Sequence, residues 1–214
     1  MVLPARLFLF IISALILLLT PGPAVLYIIT RSVDQGRKAG MASVLGVELG
    51  NSVHVLAATL GLSAILLTSA LAFNIVKYVG AAYLIYLGVR TLLRPATLST
   101  EAESEVPAPK NLGRIFRQGM VVATLNPKTA LFFLAYLPQF VDVSKGHVSQ
   151  QFLLLGFLFV AMAVVTDSIY ALLSGTAGSL LKRSVWFGRF QRYVAGTIYI
   201  GLGLTAAVGG EGHK

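Results

Sequence analysis

Long apolar runs separated by short polar clusters set the pattern of the chain. Leu7 to Thr30 contains no charged residue, and Leu45–Leu67 and Phe152–Leu181 carry at most two ionisable groups each. Each run reaches the roughly 20 residues needed to cross about 30 Å of hydrocarbon. The pattern predicts six membrane-spanning helices, at about 7–30, 42–68, 74–93, 115–140, 151–181 and 190–208. The expected fold class is therefore all-α and integral to a membrane.

Two of these predicted spans are interrupted. "LLLTPGPAVLYII" (Leu17–Ile29) places Pro21, Gly22 and Pro23 in the middle of the first, and "TLNPKTALFFLAYLPQF" (Thr124–Phe140) places Pro127 in the fourth. Proline lacks a backbone donor and clashes with the carbonyl four residues back, so each break frees carbonyls in the preceding turn. Such groups are tolerated inside a bilayer only where they line a protein-enclosed cavity or find partners on neighbouring helices. A simple proline kink explains either break alone. Two breaks at corresponding midplane positions point instead to a substrate or ion site. A secretory signal peptide cleaved near Ala24 is the alternative for the first span. The apolar run resumes at once as "AVLYIIT" and prolines crowd the cleavage region, so the segment reads as retained.

The breaks belong to a repeat. Pro127 follows Pro21 by 106 residues, the same offset that relates Gly146 to Gly40 and Gly156 to Gly50; "RYVAGTIYIGLG" (Arg192–Gly203) follows "KYVGAAYLIYLG" (Lys77–Gly88) by 115. The expected organisation is a first three-helix repeat over residues 1–94, a cytoplasmic linker over 95–113, and a second three-helix repeat over 114–214. The linker sequence is rich in Pro, Ser, Thr and acidic residues and has nothing apolar to bury. Three spans per half make the halves enter the bilayer with opposite orientation. That is an inverted repeat with broken helices 1 and 4.

Composition agrees with the pattern: 56% of residues are hydrophobic and 12% charged, with a mean hydropathy of +0.80. The net charge of +9 sits in short clusters between apolar runs, which is an orientation signal and not a nucleic-acid groove. With six spans, twelve Lys and Arg fall on one side (Arg31, Arg37, Lys38, Arg90 and Arg94 among them), four on the other (Arg6, Lys77, Lys145, Lys214), and Lys128 lies within the membrane. Both termini are accordingly expected to be non-cytoplasmic. The chain has no cysteine, which removes disulfides, zinc thiolates and cysteine nucleophiles. No cofactor or metal is expected.

The ionisable residues inside the spans are the candidate chemistry. Lys128 directly follows Pro127; Asp167 lies in "VAMAVVTDSIYALLSG"; Glu48 lies in "GMASVLGVELGNSVHVL" with Asn51 one turn on and His54 two. Each such group at the bilayer centre costs about 2.5–3.5 kcal/mol on insertion scales, so each should face the bundle interior and have a partner. A structural ion pair between Lys128 and Asp167 is one arrangement. A packed neutral imidazole is the plainer reading of His54. Gly46 and Gly50, spaced by four, suit a close helix contact.

"LTPGPAVLYI", "GRKAGMASVLGVELGNSVHVLAATLGLSAIL", "YVGAAYLIYLGVRTL" and "NPKTALFFLAYLPQFV", in this order and spacing, resemble the LysE/RhtB superfamily of lysine exporters and homoserine-threonine efflux proteins over nearly the whole chain. The resemblance implies a six-span inner-membrane carrier that exports amino acids and is driven by the proton gradient. By position it carries over Pro21, Gly22, Pro23, Asn126, Pro127, Lys128 and Asp167. Family members often have Asn where this chain has Ala24, and an apolar residue where it has Glu48; both departures bear on the substrate.

Together these readings give an expected mechanism. Amides of the half-helix starting near Ala24, with Asn51, Asn126 and Lys128, would hold a substrate carboxylate or its neighbouring polar groups. Asp167, with Glu48 as the second candidate, would exchange a proton for the substrate ammonium. The expected partners are a small amino acid, protons and the lipid bilayer, with a homodimer as a candidate assembly. The rival readings are a channel or helical scaffold without carrier activity, and an intramembrane hydrolase built on Ser174 and His54.

Overall fold

The computed structural model describes residues 4–93, 111–181 and 185–208. Among them the structure is helical, with no strand. The predicted linker falls largely outside the described residues.

The first apolar run forms α1 (Pro4–Leu19) and α2 (Pro23–Gln35), which bend by 50° at the break. Pro23 occupies the first turn of α2, where a missing N–H costs nothing. Gly36, at φ 86°, turns the chain into α3 (Arg37–Ala57). This helix continues through a π turn at Ala58–Leu62 into α4 (Ser63–Thr68). Next is α5 (Ala70–Leu93). In the second half α6 (Leu112–Thr124) begins within what the sequence reads as the end of the linker, because the Asn111 side chain accepts a hydrogen bond from Arg114 N and caps it. A 43° bend leads into α7 (Pro127–Leu131), a π turn at Phe132–Tyr136 and a 3₁₀ turn at Leu137–Phe140. Two long helices follow, α8 (Val148–Leu181) and α9 (Val185–Val208).

Among the described residues, three continuous stretches, Arg37–Ile65, Asn74–Leu93 and Val148–Thr176, are long and apolar enough to cross a membrane; counting each bent pair as one span raises this to five, and Gly196–Val208 is a shorter apolar helix. Large apolar side chains such as Phe8, Leu60, Leu71, Phe157 and Leu173 point outward, as expected where the solvent is lipid. The interior is aromatic around the second break. Phe132 packs against Phe10, Phe133, Tyr136 and Phe159, at ring distances from 5.2 to 6.1 Å.

The helix contacts join the two halves, since α3 packs on α6 and α8, α2 on α8, and α5 on α9. Small residues set these distances. A Cβ on Gly46 would lie 2.1 Å from the Phe116 carbonyl oxygen, and one on Gly50 2.5 Å from that of Met120. The close contact expected of this Gly pair is therefore made with α6, backbone against side-chain-free backbone. Along α5 and α9 the contact is reciprocal. A Cβ on Gly88 would meet the Gly196 carbonyl oxygen at 2.7 Å, and one on Gly203 the Ala81 carbonyl oxygen at 2.8 Å. Gly203 and Gly196 stand 115 residues after Gly88 and Ala81, the offset at which the two sequence stretches match. The two helices cross antiparallel.

Candidate functional site

The two breaks meet at the centre of the molecule, and side chains from the second half complete the backbone of the first. A continuous helix would pair the Leu17 carbonyl with the amide of residue 21 and the Leu19 carbonyl with that of residue 23. Both positions are proline. In place of the missing donors, the Lys128 ammonium donates to Leu17 O at 2.9 Å and the Tyr170 hydroxyl to Leu19 O at 2.9 Å; Lys128 also donates to Thr20 O, at the break itself, at 2.7 Å. The Thr20 hydroxyl donates to Ile16 O. Of the two ways in which freed carbonyls can be tolerated, the first break uses partners on neighbouring helices.

The second break is answered from the first half. His54 Nε2 lies 3.1 Å from Ala123 O, near the end of α6, while its ring stacks at 6.1 Å on Phe133. His54 is thus a packed imidazole. Asn126 caps α7: its Oδ1 accepts from Lys128 N, and its Nδ2 donates to Thr129 Oγ1. This fixes the backbone that carries Lys128. Gly22 lies beneath the lysine, where a Cβ would stand 3.2 Å from Lys128 Cδ and 3.5 Å from the Tyr199 hydroxyl. Pro21, Gly22, Pro23 and Ala24 thus share one place with Asn126, Pro127 and Lys128.

Glu48, Asn51 and Asp167 form the adjoining cluster, at 5%, 4% and 3% exposure. Asn51 Nδ2 donates to Glu48 Oε2 at 3.0 Å, and the Asp167 carboxyl on α8 acts electrostatically on the Glu48 carboxyl. Lys128 and Asp167 act on each other through space. Among the described residues, however, they form no ion pair within 4.0 Å. The structural ion pair weighed from the sequence is replaced by bonds from Lys128 to backbone carbonyls, which the proline break brings closer than the carboxylate. Three acceptor oxygens in the cluster, Glu48 Oε1, Asn51 Oδ1 and Asp167 Oδ1, are buried without a partner. Unpaired buried acceptors cost about 1–3 kcal/mol each. Such a set suits a ligand that brings N–H or O–H donors.

Tyr170 and Tyr199 are the residues sequence reasoning missed. Tyr170 had a signal, since it lies three residues after Asp167 and so shares its helix face. Tyr199 had none beyond its place in the repeat. Ser174 and His54 are far apart: Gly175 packs on Arg37, and His54 lies 17 residues further along that helix, about 25 Å at 1.5 Å per residue.

A profile of the LysE type translocator matches residues 15–210. The chain belongs to the LysE translocator family. A leucine efflux protein of Salmonella choleraesuis is 30% identical over 180 residues, covering 81% of this chain and 84% of the relative. Uncharacterized membrane proteins of Bacillus subtilis and Pseudomonas aeruginosa are 31% and 32% identical, covering 89% and 92% of this chain and 93% of each relative. No solved structure matches. The family is one of membrane transporters and not of enzymes, and at family level the chain is a multi-pass amino-acid exporter.

Proposed function

We propose that the chain exports an apolar α-amino acid across the inner membrane in exchange for a proton, by alternating access of two inverted three-helix halves. The observation that carries this reading is the cluster of three unpartnered buried acceptors, Glu48 Oε1, Asn51 Oδ1 and Asp167 Oδ1, beside a buried lysine. A zwitterion has complementary ends. Its ammonium donates to the three acceptors, and its carboxylate takes the third donor of Lys128, two being held by Leu17 O and Thr20 O. The amides of Ala24 and Val25, which no side chain caps, add the positive end of α2. An apolar side chain is favoured by the leucine efflux relative.

Competition for the carboxyls gives the coupling. Without substrate, one of the two carboxyls carries a proton beside the Lys128 ammonium. The incoming substrate ammonium replaces that proton, which leaves on the side from which the substrate came. A proton taken up on the opposite side, after the substrate departs, resets the site. The reciprocal contact of α5 with α9 supports the inverted repeat, with the sixth span completed by residues 190–208. The basic-residue asymmetry supports non-cytoplasmic termini.

Asp167→Asn in proteoliposomes tests the reading. Export driven by a pH gradient should collapse, while exchange of labelled for unlabelled substrate, which moves no net proton, should survive in weakened form. The double variant Asp167→Asn with Lys128→Gln should insert, at lower stability, and remain uncoupled. Full gradient-driven export by that double variant would overturn the proposal. A channel or scaffold would show no exchange in the unmodified protein.

A further inference from the structure

An open groove of about 570 Å³ lies between α2 and α6, lined by Tyr27, Arg31, Arg117, Gln118, Val121 and Val122. Its charges gather at one end. Arg31 is four residues from the C-terminal end of α2, and Arg117 is five residues inside the N-terminal end of α6, so both guanidinium groups start about 6–8 Å below their helix ends at 1.5 Å per residue. From such a position near a helix end, an arginine side chain is long enough to reach the lipid headgroups. The upper wall is ordered by direct bonds. The Tyr27 hydroxyl donates to Ile115 O at 2.8 Å, Arg31 donates to Gln118 Oε1 at 3.2 Å, and the Arg31 guanidinium lies 5.3 Å from the Tyr27 ring centroid.

Toward the membrane centre the wall turns apolar. Val121 is 50% exposed and Leu125, one turn further, 75% exposed, so this face of α6 meets hydrocarbon. The groove therefore presents two guanidinium groups above an apolar track. We infer that this groove is a binding site for one anionic phospholipid, its phosphate held by Arg31 and Arg117 and one acyl chain lying along Val121, Val122 and Leu125. Arginine suits a phosphate because its planar fork can donate two parallel hydrogen bonds, and basic pockets between spans recruit anionic headgroups. A free phosphate would use only the upper half. The site is separate from the Glu48, Lys128 and Asp167 cluster and does not depend on the coupling proposed there.

Native mass spectrometry of the delipidated full-length protein, titrated with phosphatidylglycerol or phosphatidylcholine, tests the site. The unmodified protein should retain one phosphatidylglycerol in preference to phosphatidylcholine. Arg31→Gln with Arg117→Gln should weaken phosphatidylglycerol about thirtyfold, each arginine contributing a factor of about five, and leave phosphatidylcholine unchanged. Arg37→Gln with Lys38→Gln, outside the groove, should stay within about twofold of the unmodified protein. If the groove double variant fails to fold, Arg117→Gln alone, at an exposed position, should read about fivefold. Equal retention of the two lipids, equal losses in the groove and control variants, or displacement of the lipid by an equal concentration of inorganic phosphate would each overturn the proposal.

Discussion

Replacing Lys128 by Met should destabilise the protein through the first helix break, although Lys128 lies in the other half of the chain. The substitution removes the donors of Leu17 O and Thr20 O, at 2.9 and 2.7 Å, in a position where Lys128 itself is 6% exposed. Hydrogen bonds to a charged group contribute about 1.5–3 kcal/mol each. Two offsets reduce the total: Leu17 O keeps a bond from Thr20 N, and removing the ammonium relieves its own desolvation. A net loss of about 2–4 kcal/mol remains. At about 2–4 °C per kcal/mol for a chain of this size, melting in detergent should fall by roughly 5–15 °C. Lys128→Gln, which keeps a donor on a shorter stem, should fall between. Insertion should be unaffected, because Met raises the hydrophobicity of the segment. A Lys128→Met variant melting within about 2 °C of the unmodified protein would refute the claim that the lysine completes the broken backbone.

Four further outcomes follow from the same geometry. Tyr170→Phe removes one neutral donor to Leu19 O and should cost about 0.5–1.5 kcal/mol, read as a smaller shift in the same melt. Replacing Pro21 and Pro23 together by Ala restores the two missing amides and should straighten the segment, so transport in counterflow should be lost while membrane insertion is kept; wild-type export would reduce the prolines to kinks. Gly46→Ala drives a methyl group against the Phe116 carbonyl and should cost about 1–3 kcal/mol, whereas Gly201→Ala, with nothing within 4 Å, should be neutral or slightly stabilising. A reporter active only in the cytoplasm, fused after Lys214, should be silent; a strong signal there would reverse the orientation argued from the basic residues.

What was legible in the sequence divides along physical lines. Proline and buried charge have local consequences that no tertiary context removes, so Pro21, Pro23, Pro127, Glu48, Lys128 and Asp167 could be singled out from the chain alone. Gly46 and Gly50 were legible for the same reason, since missing side chains matter wherever a neighbour approaches. The pairing was not legible. Lys128 stands 108 residues from Thr20 and Tyr170 stands 151 from Leu19, and a rule that matches cation to anion directs Lys128 to Asp167. The rule overlooks that a proline break creates acceptors of its own. Tyr199 was hidden because a tyrosine in an apolar run counts as apolar until its hydroxyl is placed; Tyr170 shared that disguise although its place on the Asp167 face was readable. The π turns at Ala58–Leu62 and Phe132–Tyr136 carry no residue signature.

The pairing also changes what the breaks mean for transport. Each break is completed by the opposite half, the first by Lys128 and Tyr170 and the second by His54. Sliding the halves past one another would therefore strip Thr20 O and Leu19 O of their partners in a medium that offers no water to satisfy them, while Leu17 O and Ala123 O keep backbone bonds from Thr20 N and Asn126 N. On the proposed mechanism a bound amino acid supplies what the movement removes. Its carboxylate gives the Lys128 ammonium an acceptor as Leu17 O and Thr20 O withdraw, and its ammonium occupies Glu48, Asn51 and Asp167. The same lysine would then serve both as the partner of the first break and as a ligand of the substrate carboxylate.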